Sequence, residues 1–304
     1  MQAPLISILI ANYNNSSYIC ETLDSVVNQT YNNIEIIIVD DASEDSSLDI
    51  IGDYIFLHPD YNIQLYKNSS NYGCGRTKRK CVDIARGEYF AFLDPEDTIE
   101  SNTLELLLQE YKKRENCGII YTTHYLCNDR LEPQSISVWP GKICDGASHL
   151  TSKSGHISAF ALCKKTVYDQ TLGINPKFRV AEDQDLYLKM EEINSVYFYN
   201  FPLYYYRKHN NNISWDDSKR RVNLEWSFIA ASDAYMRRRK NKTIAHNFSR
   251  IEYIRFKLAY LLNMAKLEYK EKNYVAYCRY IARSFRYLMV DRNLSILKTI
   301  IRNK

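Results

Sequence analysis

Glycine is scarce in this chain, 9 of 304 residues. Where a dinucleotide-binding enzyme places GxGxxG after its first strand, the sequence reads ANYNNSS, which argues against a nicotinamide or flavin site. GxxxxGK[ST] is also missing, which argues against a P-loop enzyme. The eight cysteines (Cys20, Cys74, Cys81, Cys117, Cys127, Cys144, Cys163 and Cys278) are dispersed and include no CxxC pair. A reduced, cytosolic chain fits them better than a disulfide framework or a zinc site. No apolar run reaches the roughly 18 residues needed to cross a bilayer, so no spanning segment is expected. The opening MQAPLISILIANYNN carries no basic leader, and its apolar run is too short for a signal peptide.

Tyrosine, by contrast, is abundant at 26 residues. Hydrophobic content of 45% with 25% charged residues is ordinary for a soluble globular protein, and the length suits one large domain or two smaller ones. The net charge of +4 hides an asymmetry. From Lys219 onward there are 21 Lys and Arg against 6 Asp and Glu, a balance of +15, so the remainder holds 19 against 30, or −11. Such a split points to an anionic partner at the basic end.

The first part alternates strands and helices. Strands are expected at Leu5–Ala11, Ile34–Val39, Ile63–Tyr66, a run into Asp94, and Ile119–Tyr125. Helices are expected at Tyr18–Asn28, Ser43–Tyr54, Thr77–Ala85 and Thr103–Lys113. This βαβα order implies a mostly parallel sheet covered on both faces, with ligands beyond the carboxyl ends of the strands. Asn12, Tyr13, Asp40, Asp41 and Asp94 all fall on that edge. In GEYFAFLDPEDTIE, Pro95 disfavours the helical region at Asp94, so an extended chain would turn Asp94 and Glu96 to one side. Two such carboxylates repel unless a cation sits between them, and Mg²⁺ or Mn²⁺ suits carboxylate and phosphate oxygens. The plainer alternative is a solvated acidic loop.

ISILIANYN, IIIVDDASED, the spaced Asn71-x-Gly73, GEYFAFLDPED and AEDQDLYLKM together resemble family 2 glycosyltransferases of the GT-A fold, in the family's order, over residues 4–215. The resemblance implies inverting transfer of a sugar from a nucleotide-sugar to an acceptor hydroxyl, with a divalent metal. By it, Ala11 and Tyr13 border the base, and Asp41 hydrogen-bonds the pyrimidine with Asp40 beside it. Asn71 and Lys78 belong to the donor site, Asp94 contacts ribose or metal, and Glu96 is the metal ligand of the DXD motif. Asp183 is the base that takes the acceptor proton, with Glu182 positioning its neighbours. YYYRKHNNNIS, residues 204–214, resembles the loop that closes over the diphosphate, with Arg207 and His209 on phosphate or metal. Three positions depart from the family's pattern: Glu96 replaces Asp, Lys78 replaces Arg and so loses the bidentate fork, and Ala11 replaces Pro. Alternative readings remain at several of these residues. AEDQD also suits a helix start, where acidic side chains complement the dipole. His209 could be structural, Cys74 and Cys81 buried thiols, and RTKRK a solvated helix face apart from Lys78.

Residues 216–304 differ in kind: they contain no proline and read as helices at Val222–Arg238, Arg250–Tyr269 and Tyr274–Leu288, with a short one from Leu294. Aromatics such as Phe256, Tyr260, Tyr277, Tyr280, Phe285 and Tyr287 interleave with Arg and Lys. A helical subdomain with a charged face and a surface for anionic lipid both fit; no nucleic-acid module occurs. The expectation is a catalytic domain at 1–215 followed by a basic helical region at 216–304. It would use Mn²⁺ or Mg²⁺ to move a sugar, from a UDP-sugar, onto a glycan or lipid-linked acceptor in surface polysaccharide or glycolipid synthesis. The place would be the cytoplasm, at the inner face of the cell membrane. The competing classes are a sugar-1-phosphate nucleotidylyltransferase, whose glycine- and arginine-rich loop is missing, and an inactive sugar-nucleotide-binding or membrane-scaffold protein.

Overall fold

Two apolar strands show how the core is divided. In β1 (Ile6–Asn12) and β2 (Ile34–Asp40), successive side chains point to opposite faces. Ile8, Ile10, Ile36 and Ile38 join one buried cluster, while Leu9, Ile37 and Val39 join another on the opposite face. A strand covered on both faces is near-continuous in hydrophobicity, as these are apart from Ser7 and Glu35 and the polar residues at their carboxyl ends. Burying each such side chain contributes about 1.5–3 kcal/mol.

The computed structural model describes residues 3–144, 147–150, 152, 156–209, 220–241 and 250–288. The chain divides into two compact units, Met1–Trp215 and Asp216–Lys304. In the first, the remaining strands are β3 (Ile63–Lys67), β4 (Tyr89–Phe92), β5 (Thr98–Ile99), β6 (Cys117–Cys127), β7 (Pro133–Ile136), β8 (Ala161–Lys164) and β9 (Ser195–Arg207). The sheet order is β3-β2-β1-β4-β8-β6-β9-β5, with β7 paired to β6. The helices are α1 (Ile19–Val27), α2 (Ser47–Leu57), α3 (Cys74–Ile84), α4 (Thr103–Lys112), α5 (Lys165–Tyr168) and α6 (Glu182–Glu191). The first cluster gathers α1, α2 and α4 and the second gathers α3 and α6, so helices cover both faces.

Three details depart from the reading of the sequence. The sheet is parallel from β3 to β4, but β8 enters antiparallel between β4 and β6, and β9 runs parallel to β6. Helix α2 starts at Ser47, not Ser43. The Ser43 N–H instead donates to the Asp40 carboxylate at 3.0 Å, and Ala42 takes a left-handed φ of 63°. Helix α3 starts three residues early, at Cys74, because Gly73 supplies a φ of 85° at the turn into it. Gly75 then lies so close to the chain that a Cβ there would meet the Phe178 carbonyl oxygen at 2.3 Å. Two of this chain's nine glycines thus lie where α3 meets the segment leading to α6.

The second unit contains α7 (Arg220–Asn241), α8 (Arg250–Lys270) and α9 (Tyr274–Leu288). Small side chains at Ala230, Ala231 and Ala234 are buried on α7, and Leu258, Leu261 and Met264 on α8. Phe228 stacks on Tyr260 and Phe256, with ring centroids 4.1 and 5.4 Å away, and Tyr235 stacks on Tyr253 at 4.1 Å. The short helix expected from Leu294 lies outside the described residues.

Candidate active site

The carboxyl ends of β1 and β2 bring Asn12, Asp40 and Asp41 together, all buried. Asn12 Nδ2 donates to Asp40 at 3.3 Å and to Ser43 at 3.3 Å, leaving its buried Oδ1 without a partner. The Asp41 carboxylate accepts the N–H groups of Tyr72 and Gly73 at 2.9 and 2.8 Å, and the Asn68 amide at 2.8 Å. Asp41 therefore organises the loop 68–73 that precedes α3. Asn71 lies exposed in that loop and caps Gly73 N–H at 3.1 Å. Tyr13 is exposed at the end of β1, and Ala11 is half-buried one position before Asn12.

The DPED segment corrects the extended reading. Asp97 N–H donates to the Asp94 carbonyl at 3.1 Å, closing a tight turn whose second residue is Pro95. Proline fixes φ near −65°, which suits that turn position, so pleated alternation stops at Asp94. Asp94 and Glu96 consequently diverge. Asp94 sits 3.8 Å from Lys78 Nζ and remains about half exposed, while Glu96 Oε2 lies 2.8 Å from His209 Nε2. Asp97, unassigned from sequence, is the buried member: it accepts Tyr204 Oη at 2.6 Å and Arg207 N–H at 2.7 Å. Burial pushes its carboxyl well above the usual range; Asp94 and Glu96 add to this, against the two hydrogen bonds.

Helix α3 and the start of α6 meet over Lys78. Its ammonium donates to Glu182 Oε1 at 2.8 Å, and Cys74 Sγ donates to the same oxygen at 3.2 Å. Cys74 is thus a part-buried thiol within this polar cluster, while Cys81 is buried outright. Burial opposes the lysine's charge, yet Cys74, Glu182, Asp94 and Asp183 around it hold its pKa well above the usual value. Glu182 is lowered, because Lys78 outweighs its burial. Asp183 is the opposite case: burial first, then the Glu182 charge, push it up to about 6. Ala181 precedes the pair in a left-handed conformation, φ 60°, a strained setting for alanine that turns the chain into α6. Asp185, the nearest other carboxylate on α6, is spent on Lys189 Nζ at 2.5 Å.

At the end of β9, Arg207 departs from an open phosphate contact. It is 2% exposed, and its guanidinium donates to the Glu96 and Asp129 carbonyls at 2.7 and 2.6 Å and to Glu21 Oε2 at 2.7 Å. Its charge lies 4.6 Å over the Tyr18 ring, which also stacks on His209 at 5.2 Å. Arg207 therefore holds the DPED turn against α1 and β9. The sequence offered no signal for Glu21, which lies on an ordinary amphipathic helix.

Part of this rim carries groups of the kind that ligate a divalent ion. Glu96 Oε2 and His209 Nε2 are hydrogen-bonded to one another at 2.8 Å, and of the two the carboxylate is the donor type suited to Mn²⁺ or Mg²⁺. Among the described residues no group of three or more His, Cys, Asp or Glu is arranged to hold an ion alone. Asp94, expected as a third ligand, is turned to Lys78 instead. Phosphate oxygens and water would complete such a site.

Comparison with known proteins accords with this geometry. The chain is 31% identical over 221 residues to chondroitin synthase of Escherichia coli, a match covering 70% of this chain and 30% of that protein. It is 29% identical over 214 residues to hyaluronan synthase of Pasteurella multocida, covering 70% and 21% respectively. The chain therefore spans less than a third of these relatives. Among solved structures, S. aureus TarS 1-349 in complex with UDP-GlcNAc aligns with a TM-score of 0.59 at 18% identity, covering 93% of this chain and 91% of that one. Mannosyltransferase PcManGT from Pyrobaculum calidifontis, in complex with GDP-Man and Mn²⁺, aligns with a TM-score of 0.58 at 14% identity, covering 96% and 89%. These likenesses establish the GT-A fold. Residues 7–171 match the family described as Glycosyl transferase family 2, more than half of the chain, and this protein belongs to that family of glycosyltransferases.

Proposed function

We propose that this glycosyltransferase moves a sugar from a UDP-sugar to the hydroxyl of a glycan or lipid-linked acceptor, with inversion, in surface polysaccharide or glycolipid synthesis. The observation that carries the reading is the crowding of Asp183, Glu182 and Asp94 around Lys78. An Asp183 carboxyl titrating at about 6 is mostly ionised at neutral pH yet basic enough to accept a proton. In the proposed step, Asp183 takes the proton of the acceptor hydroxyl while that oxygen bonds to the anomeric carbon. The bond from that carbon to the diphosphate breaks on the opposite face, and the nucleoside diphosphate leaves. Lys78 keeps Glu182 ionised and limits how far the Asp183 pKa rises. Arg207 and Asp97 hold the DPED turn, so Asp94 stays open toward the ribose.

Ala11, Tyr13, Asp40, Asp41 and Asn71 border the nucleoside in this reading, supported by their common edge of the sheet. Glu96 and His209 would hold Mn²⁺ or Mg²⁺, which would neutralise charge developing on the diphosphate. Support for a metal and a nucleotide-sugar comes from PcManGT and TarS, whose complexes contain Mn²⁺ with GDP-Man and UDP-GlcNAc. Eight free cysteines support a reduced, cytoplasmic setting. The test is release of nucleoside diphosphate from a panel of UDP- and GDP-sugars with Mn²⁺ or Mg²⁺, and the anomeric configuration of the product by NMR. UDP-sugar turnover with inverted configuration is expected. Turnover restricted to GDP-sugars, retained configuration, or no turnover of any donor would overturn the corresponding part.

A further inference from the structure

The helix α9, YVAYCRYIARSFRYL, contains three arginines and no acidic residue. At about 100° per residue, its exposed positions separate into two adjoining arcs. Tyr274, Val275, Cys278, Ala282 and Phe285 fall within one arc of about 100°, all exposed, with Tyr274, Val275 and Phe285 at 57%, 67% and 59%. Arg279, Arg283 and Arg286, also exposed, fall along the next arc of about 60°. The opposite side is occupied by the rest of the helical unit: Ser284 is buried, Tyr277 meets Tyr269, and Tyr287 lies under Lys257. The helix thus has an inner face that packs, an outer apolar stripe, and an arginine edge beside that stripe.

We infer that this outer face of α9 seats on an anionic membrane surface, with the apolar stripe in the headgroup–acyl boundary and the arginine edge among acidic headgroups. The inference is independent of the donor and acceptor reading. A second copy of the unit would add like charge to like charge, since the region from Lys219 onward already carries a balance of +15. Nucleic acid would engage the arginines but leave the stripe in water. An anionic lipid surface uses both arcs, as interfacial helices with a large apolar face and basic flanks do. Among the described residues no helix is long and apolar enough to cross a membrane.

Sedimentation of the full chain with phosphatidylcholine vesicles, with and without phosphatidylglycerol, tests this. Binding is expected only with phosphatidylglycerol and is expected to weaken as salt rises. Arg279→Gln, Arg283→Gln and Arg286→Gln together are expected to lower vesicle affinity about 100-fold, since each basic group near such a surface is worth about fivefold. Val275→Ser with Phe285→Ser is expected to lower it about tenfold or more, at unchanged net charge. Nucleoside diphosphate release, measured on each variant without vesicles, is expected to stay at the parent value, which separates this test from that of the transfer reaction. Absence of sedimentation at low salt would overturn the inference, as would parent-like binding by the serine variant. A parent dimer abolished by those serines would overturn it too, assigning the stripe to a second copy.

Discussion

Two buried glutamates each face a cation at opposite ends of the parallel strands, and their surroundings differ in the balance of charge. Glu35, at the amino end of β2, accepts Ser7 Oγ at 2.7 Å, the Arg86 N–H at 2.7 Å and the Arg86 guanidinium at 3.0 Å. One carboxylate meets one cation, and these partners hold its pKa below the usual value despite burial. Glu182, at the carboxyl-end rim, also has its cation, but Asp183 and Asp94 share Lys78 with it. The surplus negative charge is borne by Asp183, whose pKa rises to about 6. The amino-end cluster satisfies its charges and serves the fold. The rim cluster leaves one carboxylate unsatisfied, the condition in which a group exchanges protons near neutral pH. Glu35 accounts for the single break in an otherwise apolar strand, and it does so without a catalytic role.

Breaking the rim cluster at its unsatisfied member has the largest expected effect. Asp183→Asn keeps the shape and removes the proposed base, so kcat is expected to fall about 10²-fold or more while calorimetry shows donor affinity retained. Near-normal turnover would move the base elsewhere, although Asp185 is already tied to Lys189. Because a raised pKa means that the native state disfavours the charged form, Asp183 costs stability that builds up as pH rises from 3.8 to about 6 and is fully present above that. The same variant is therefore expected to melt higher at neutral pH, by about 2–4 °C for each kcal/mol relieved.

Glu96 sharpens the contrast, since in the proposed reading it and its partner His209 would hold a metal. Glu96→Ala is expected to weaken Mn²⁺-dependent binding of nucleoside diphosphate about tenfold or more, and chelator should reproduce the loss in the parent. Equal affinity with and without chelator would remove the metal from the site. Glu35→Gln breaks the satisfied cluster: urea unfolding is expected to show a loss of about 1–2 kcal/mol, reduced because Arg86 is 65% exposed, with kcat unchanged. Its lowered pKa sets the sign: this stability is present at neutral pH and is lost as pH falls below the usual glutamate range. The smallest effect is on the pH profile. Lys78→Gln removes the cation that lowers the Asp183 pKa, so the acid limb of residual activity, near pH 6 in the parent, is expected to move up by about one unit.

Local pattern made much of the first unit legible. ISILIAN and IEIIIVD read as buried strands, and both are, because continuous apolar character is what two covered faces require. The second unit's three described helices follow the expected spans to within a few residues at each end. Strand β8 was not legible: four residues long, it gains its place only by pairing with both β4 and β6. The DPED turn was misread because alternation assumes continued extension, and the turn is closed by a backbone bond from Asp97 to Asp94. Arg207 was assigned from the resemblance of its loop to the family's, which carries no information on where a guanidinium points. Glu21, a partner from a distant stretch of chain, decides that.

By itself, the sequence determined the alternation of strands and helices, the edge at which Asp40, Asp41 and Asp94 emerge, the family, and the basic character of the chain's end. Each follows from local periodicity, charge count or ordered motifs, which do not depend on distant contacts. Tertiary structure decided which charges meet. Lys78 and Glu182 are separated by 104 positions, as are Glu96 and His209 by 113, and only folding sets these pairs at 2.8 Å. It also decided which charged groups are removed from water, and desolvation together with unequal partners is what separates an inert Glu35 from a titrating Asp183.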